Sequence, residues 1–188
     1  NISGQGSITS TGGIISLQEG GELFGSGELD ISGSIWTLGG NFEKSGGTTL
    51  TMSGTNLVLD NNSTLTSNEA LSFDNLTLND FTLTLGSETS DLTVQNAITI
   101  DNSTEGILTG LADLSLGALT LSAGNVTSTG GIISLLGGGQ LSGSGILDVS
   151  GSTWVLVGNF IKEGGTLTIS NTDLALGGST TLTSDEAL

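Results

Sequence analysis

The chain repeats itself. The run from Thr9, TSTGGIISLQEGGELFGSGELDISGSIWTLGGNF, returns from Thr127 as TSTGGIISLLGGGQLSGSGILDVSGSTWVLVGNF. The match continues to Leu71 and Leu188, with one residue dropped near Thr48 and Thr49. Roughly two thirds of the aligned positions are identical, at a period of about 118 residues. Trp36 falls on Trp154, Phe42 on Phe160 and Lys44 on Lys162. Residues 9–126 form the first copy and 127–188 a partial second, so 1–188 reads as one continuous segment. Units of this kind bury their apolar faces only by stacking on their neighbours.

A shorter period lies inside the long one. Apolar residues separated by one polar residue recur at Leu29/Ile31, Leu50/Met52, Leu76/Leu78, Ile98/Ile100, Leu119/Leu121, Leu147/Val149 and Leu167/Ile169. The steps average about 23 residues, so a long unit is expected to hold about five of them. Two more strand-like pieces lie between successive members, for example NLVL and STLT after Leu50. Three short strands per coil with period-2 alternation predict an all-β fold, a parallel β-helix (β-solenoid). Leu and Ile would point inward, with Thr or Asp between them pointing out. Gly-Gly, Ser-Gly and Asn would turn the corners. Coils stacked at about 4.8 Å would build a rod near 40 Å long.

Helix is a poor alternative, because Thr, Ser, Gly and Val form helices weakly and no 3.6-residue stripe persists. A β-sandwich shares the short alternating strands but has no need of coil-sized repetition. The net charge of -17, with Lys44 and Lys162 the only cations, argues against nucleic acid and anionic membrane surfaces as partners. A hydrophobic fraction of 35%, regularly spaced, argues against disorder. Cysteine is absent, so packing alone must hold the fold. No apolar run reaches the ~18 residues of a membrane helix, and no leader is visible. The chain reads as a segment of something longer.

At GALTLSAGNVTSTGGIISL and GGTLTISNTDLALGGSTTLTS the sequence resembles the repeats of bacterial secreted adhesins. It is similar to filamentous-haemagglutinin-type two-partner-secretion proteins and to autotransporter passenger repeats. The resemblance implies a right-handed β-helical shaft, exported to the cell surface or beyond and serving adhesion or surface structure. Its partners would be other copies of itself, end to end or side by side, or a host or cell surface. A subunit that stacks into an extracellular filament is the related alternative. A carbohydrate- or ice-binding solenoid is the alternative from another class.

The residues themselves point away from catalysis, and no catalytic, cofactor or metal residue is assigned. Histidine and arginine are absent. Lys44 and Lys162 recur once per repeat and read as surface residues. Acids such as Asp30 with Asp148 and Glu69 with Glu186 also recur, whereas an active site is usually singular. The polar corner at Asp60, Asn61 and Asn62 is replaced by Gly177, Gly178 and Ser179 in the second copy, which reads as a solvated turn rather than a calcium site. Thr-Leu-Thr recurs at 49–51, 64–66, 82–84, 166–168 and 181–183, at intervals that would place the copies on different faces. Trp36 and Trp154 alternate in phase with Leu38 and Leu156, which puts both indoles in the core.

Overall fold

The computed structural model describes residues 6–87 and 91–186. Among them every regular element is a β-strand, and every strand pairing is parallel. The strands wind into a β-solenoid of about 8 turns. The first coil is β1 (Ser7–Thr9), β2 (Ile14–Leu17) and β3 (Gly21–Leu23), and the second is β4 (Glu28–Asp30), β5 (Ile35–Leu38) and β6 (Phe42–Lys44). The third is β7 (Thr49–Thr51), β8 (Asn56–Leu59) and β9 (Ser63–Ser67), and the fourth β10 (Leu71–Phe73), β11 (Asn75–Thr77) and β12 (Thr82–Leu85).

Beyond this the strands lengthen and run through corners. β13 (Asp91–Ile100) serves two faces, followed by β14 (Gly106–Gly110). β15 (Asp113–Leu121) again serves two, followed by β16 (Asn125–Ser128) and β17 (Ile132–Leu135). β18 (Gly139–Asp148) covers two faces, β19 (Thr153–Thr168) three and β20 (Asp173–Ser184) two. The residue dropped between the copies lies at such a corner. In the first copy Thr48 is buried there and its hydroxyl donates to the Ser45 carbonyl, separating β6 from β7. Without its counterpart, β19 continues through the turn on Gly164 and Gly165.

Three faces result. Face 1 carries β1, β4, β7 and β10, then the first parts of β13 and β15, β17, and the starts of β19 and β20. Face 2 carries β2, β5, β8 and β11, then the later parts of β13 and β15, the start of β18 and the middle of β19. Face 3 is an unbroken ladder of β3, β6, β9, β12, β14, β16, the end of β18 and the end of β19. Each coil takes roughly 21 residues, against the expected 23. Register shows why: Trp36 stacks on Ile15, 21 residues earlier, and beneath Leu57, 21 later. The apolar pairs that set the expected period drift across faces. Leu29 and Leu50 lie on face 1, Leu76 on face 2 and Leu147 on face 3, and each slip adds a few residues to the apparent step.

The core is the hollow of the coil, filled along its length by the inward side chains Leu23, Leu29, Trp36, Leu38, Leu57, Leu65, Leu83, Ile107, Leu116, Leu135 and Leu156, all buried. Burying each such leucine contributes about 2 kcal/mol. The expected inward position of both tryptophans holds: Trp36 and Trp154 are 0% and 1% exposed. Each meets the next phenylalanine edge-on, Trp36 with Phe42 at 4.8 Å and Trp154 with Phe160 at 5.1 Å between ring centroids. At one corner buried hydroxyls satisfy the backbone. Ser34 Oγ donates to the Ser10 carbonyl and Thr55 Oγ1 to the Ile31 carbonyl, 2.9 and 2.7 Å away.

Candidate functional site: the lysine corner

Lys44 contradicts the sequence expectation of a surface lysine, and so does Lys162. Lys44 ends β6 with the burial alternation of Phe42 (in), Glu43 (out), Lys44 (in), so its stem enters the coil. Lys44 is 1% exposed and Lys162 5%. The physical reason lies one coil on, where the corner supplies oxygens. Lys44 Nζ donates to Asn68 Oδ1 at 3.0 Å and stands 3.2 Å from Glu69 Oε2. The corner is itself fixed: Asn68 Nδ2 donates to the Gly46 carbonyl, and Ser67 Oγ donates to the Glu69 carbonyl. In the second copy Lys162 Nζ reaches Asp185 Oδ1 at 3.3 Å and Glu186 Oε2 at 2.9 Å. The repeat thus preserves a buried ammonium reaching a carboxylate from within the coil.

Chemically this is an anchor. The hydrogen bond to Glu186, with the Asp185 carboxylate adding to it, holds Lys162 above the ordinary lysine value of 10.5 against the opposing effect of burial. A lysine acting as a base at neutral pH needs the reverse shift. The acids paired with these lysines, Glu69 and Glu186, are half-exposed or more and recur with them.

The other candidates are also distributed along the rod. Asp30 Oδ1 accepts from the Ser32 N–H and Asp148 Oδ1 from the Ser150 N–H, each at 3.0 Å, so both carboxylates fold their own turns. Hydrogen bonding from Ser32 lowers the Asp30 carboxyl below its ordinary range. At the polar corner Asn61 Oδ1 accepts from Asn62 N–H, and Asn62 Oδ1 accepts from Thr82 N–H in the next coil. Among the described residues no group of three or more histidines, cysteines, aspartates or glutamates could hold a metal ion. The Thr-Leu-Thr segments separate only in part as expected. Residues 49–51 lie on face 1 and 181–183 on face 2, but 64–66, 82–84 and 166–168 share face 3, where Thr64 and Thr84 are direct neighbours. The outward row there continues Thr64, Thr84, Leu108, Thr127, Asp148, Thr168, so threonine is interrupted by leucine and aspartate.

Two features escaped the sequence reading. Asn75 Nδ2 donates to Asn56 Oδ1 at 2.5 Å and Asn96 Nδ2 to Asn75 Oδ1 at 3.0 Å, a three-coil amide ladder along one corner. Asparagines at 19 and 21 residues' spacing were its signal. Asp91 and Asp113 stack directly on face 1, beside a shallow depression that also takes in Thr93, Ser115 and Ile132. Burial first, then the Asp113 carboxylate, push the Asp91 carboxyl up. Asp113 Oδ1 meanwhile accepts from the Ile132 N–H at 2.7 Å.

Comparison with known proteins adds no identity: no family model matches the sequence, and no curated protein and no solved structure is significantly similar.

Proposed function

We propose that this chain is a structural shaft segment of a large secreted or cell-surface repeat protein, one that carries adhesive contacts away from the cell. The observation that carries this reading is what the two copies keep. Their inward residues agree: Trp36/Trp154, Leu38/Leu156, Phe42/Phe160 and Lys44/Lys162. Their outward strand residues agree only in part: Ile14/Ile132, Ser16/Ser134, Thr49/Thr166 and Thr64/Thr181 are kept, whereas Glu22/Gln140, Glu28/Ile146, Ile35/Thr153, Thr37/Val155 and Glu43/Ile161 differ. Repetition that preserves packing and lets the surface vary suits a rod whose duty is to hold length. A carbohydrate or ice platform would need an unbroken row on one face, and the threonine row of face 3 is interrupted by Leu108 and Asp148. The acidic, cation-poor surface keeps such a rod soluble and separate from its neighbours, and an extracellular site is proposed with it.

The test combines electron microscopy with a glycan array on the purified chain. The shaft reading expects thin rods about 40 Å long and no saturable glycan binding. Saturable binding abolished by substituting one outward row would overturn it in favour of a binding module. Fibres far longer than one chain would instead favour end-to-end stacking into a filament.

A further inference from the structure

Trp36 and its repeat counterpart Trp154 lie on different faces. Trp36 is in β5, on the ladder β2–β5–β8–β11 of face 2. Trp154 opens β19, on the ladder β10–β13–β15–β17–β19 of face 1. Other equivalent pairs move the same way. Phe42 and Lys44 are on face 3, Phe160 and Lys162 on face 2. Thr9 and Asp30 are on face 1, Thr127 and Asp148 on face 3. The cause is a count. Between β1 and β16, its counterpart, the chain passes β1 to β15, of which β13 and β15 each serve two faces, making seventeen face-forming segments. Seventeen is one short of six full coils, so the second copy starts one face behind the first.

The ladders carry the change of face continuously along the rod. Face 3 is paired without a break from β3 to β19, and it holds β6 of the first copy and β16 of the second. On face 2 the step from β11 to β13 is bridged by Asn96, whose backbone N–H donates to the Asp74 carbonyl and whose side chain donates to Asn75. The core accepts the change of face because the same devices form at a different corner: the Trp–Phe pair spans faces 2 and 3 in the first copy and faces 1 and 2 in the second, and each copy keeps its lysine corner.

We infer that the long repeat is a screw element: each copy turns its surface by one face, about a third of a turn, while rising about 27 Å at 4.8 Å per coil. This rests on the shaft reading for its use. In a tandem of such repeats any contact borne once per repeat faces three directions in succession, and returns to one side only every third repeat, about 82 Å on. A shaft built this way has no blind side. A partner that reads a repeat-borne surface meets it from any approach, and one flat receptor surface does not engage successive copies at once.

The chain has no cysteine, so paired spin labels can be placed freely. Thr37 would be labelled together with, in turn, Val155, Ile161 and Thr168, which lie on the three faces of one coil. The screw predicts Thr37–Ile161 to be the shortest, at about 29 Å for six coils, and Thr37–Val155 to be longer by several ångström although these two are repeat equivalents. Either of the other two pairs as the shortest would overturn the screw while leaving the solenoid standing. Three distances all well below about 25 Å would contradict the solenoid and the screw with it. Circular dichroism and melting of each labelled pair show whether the fold is kept. All four positions are strand residues outside the buried core, so labels there should be tolerated. Glycan binding tests the shaft reading separately, since it leaves these distances unchanged.

Discussion

Lys44 Nζ lies 3.2 Å from Glu69 Oε2 in an ion pair whose cation is buried and whose anion is 59% exposed. The asymmetry sets the response to substitution. Lys44→Met fills the same space and leaves Glu69 free to hydrate, so it should cost no more than about 1 kcal/mol. Glu69→Ala leaves a buried ammonium with Asn68 alone and should cost about 1–3 kcal/mol. Urea melts of the two single variants and the double variant check this. A larger loss for Lys44→Met than for Glu69→Ala would contradict it.

Alkaline unfolding should report on the lysine corners directly. The chain has no tyrosine or cysteine, and its two cations are both lysines, so few other groups titrate in that range. Lys162 is held above its ordinary value chiefly by the hydrogen bond to Glu186. Its stabilising contribution is therefore complete below 10.5 and is lost as pH rises through the raised value. Glu186→Gln should shrink that loss, as followed by thermal melts between neutral and strongly alkaline pH.

The stacked carboxyls carry the opposite sign. A raised Asp91 means that the folded state binds that proton more tightly, so the pair destabilises the fold at neutral pH and the strain is relieved as pH falls. Asp91→Asn should raise the melting temperature at pH 7, and the gain should disappear below the ordinary carboxyl value of 3.8. Added salt should stabilise the parent more than the variant.

Glycines at the corners separate into two kinds. Gly20 has φ +74°, and a side chain there would run into the Asn41 carbonyl; its counterpart Gly138 meets the Asn159 carbonyl in the same way. Gly12 has φ +76° but open space around it. Gly12→Ala should cost about 1–2 kcal/mol, the left-handed conformation alone. Gly20→Ala adds a backbone collision and should exceed about 3 kcal/mol. Equal losses in denaturant melts would contradict the packing of that corner.

Among the described residues, both indole nitrogens are buried without a hydrogen-bond partner. Trp36→Phe should thus lose only volume, whereas Trp36→Ala should cost about 3–5 kcal/mol. Comparison of their melting curves decides between a core role and an exposed platform, for which both changes would be nearly silent.

The parallel solenoid and the inward tryptophans were legible because alternation and repetition both act through side-chain direction, which sequence records. Coil length was less so. Leu50 and Leu76 look like successive members of one row, yet they sit on adjacent faces. Nothing in a Leu-x-Leu motif says which face it occupies. Lys44 misled for another reason: its burial depends on Asn68 and Glu69, 24 and 25 positions away, which meet it only after the coil closes.

The most direct test of the solenoid is a ladder of spin-label distances along face 2, from Thr37 to Thr120, Gln140, Ile161 and Thr183. These outward positions lie on one face, the last four in successive coils linked by direct register. The solenoid predicts about 19, 24, 29 and 34 Å, a linear rise of about 4.8 Å per coil. Distances that fail to grow in that order, as in a sandwich whose strands fold back on one another, would contradict it.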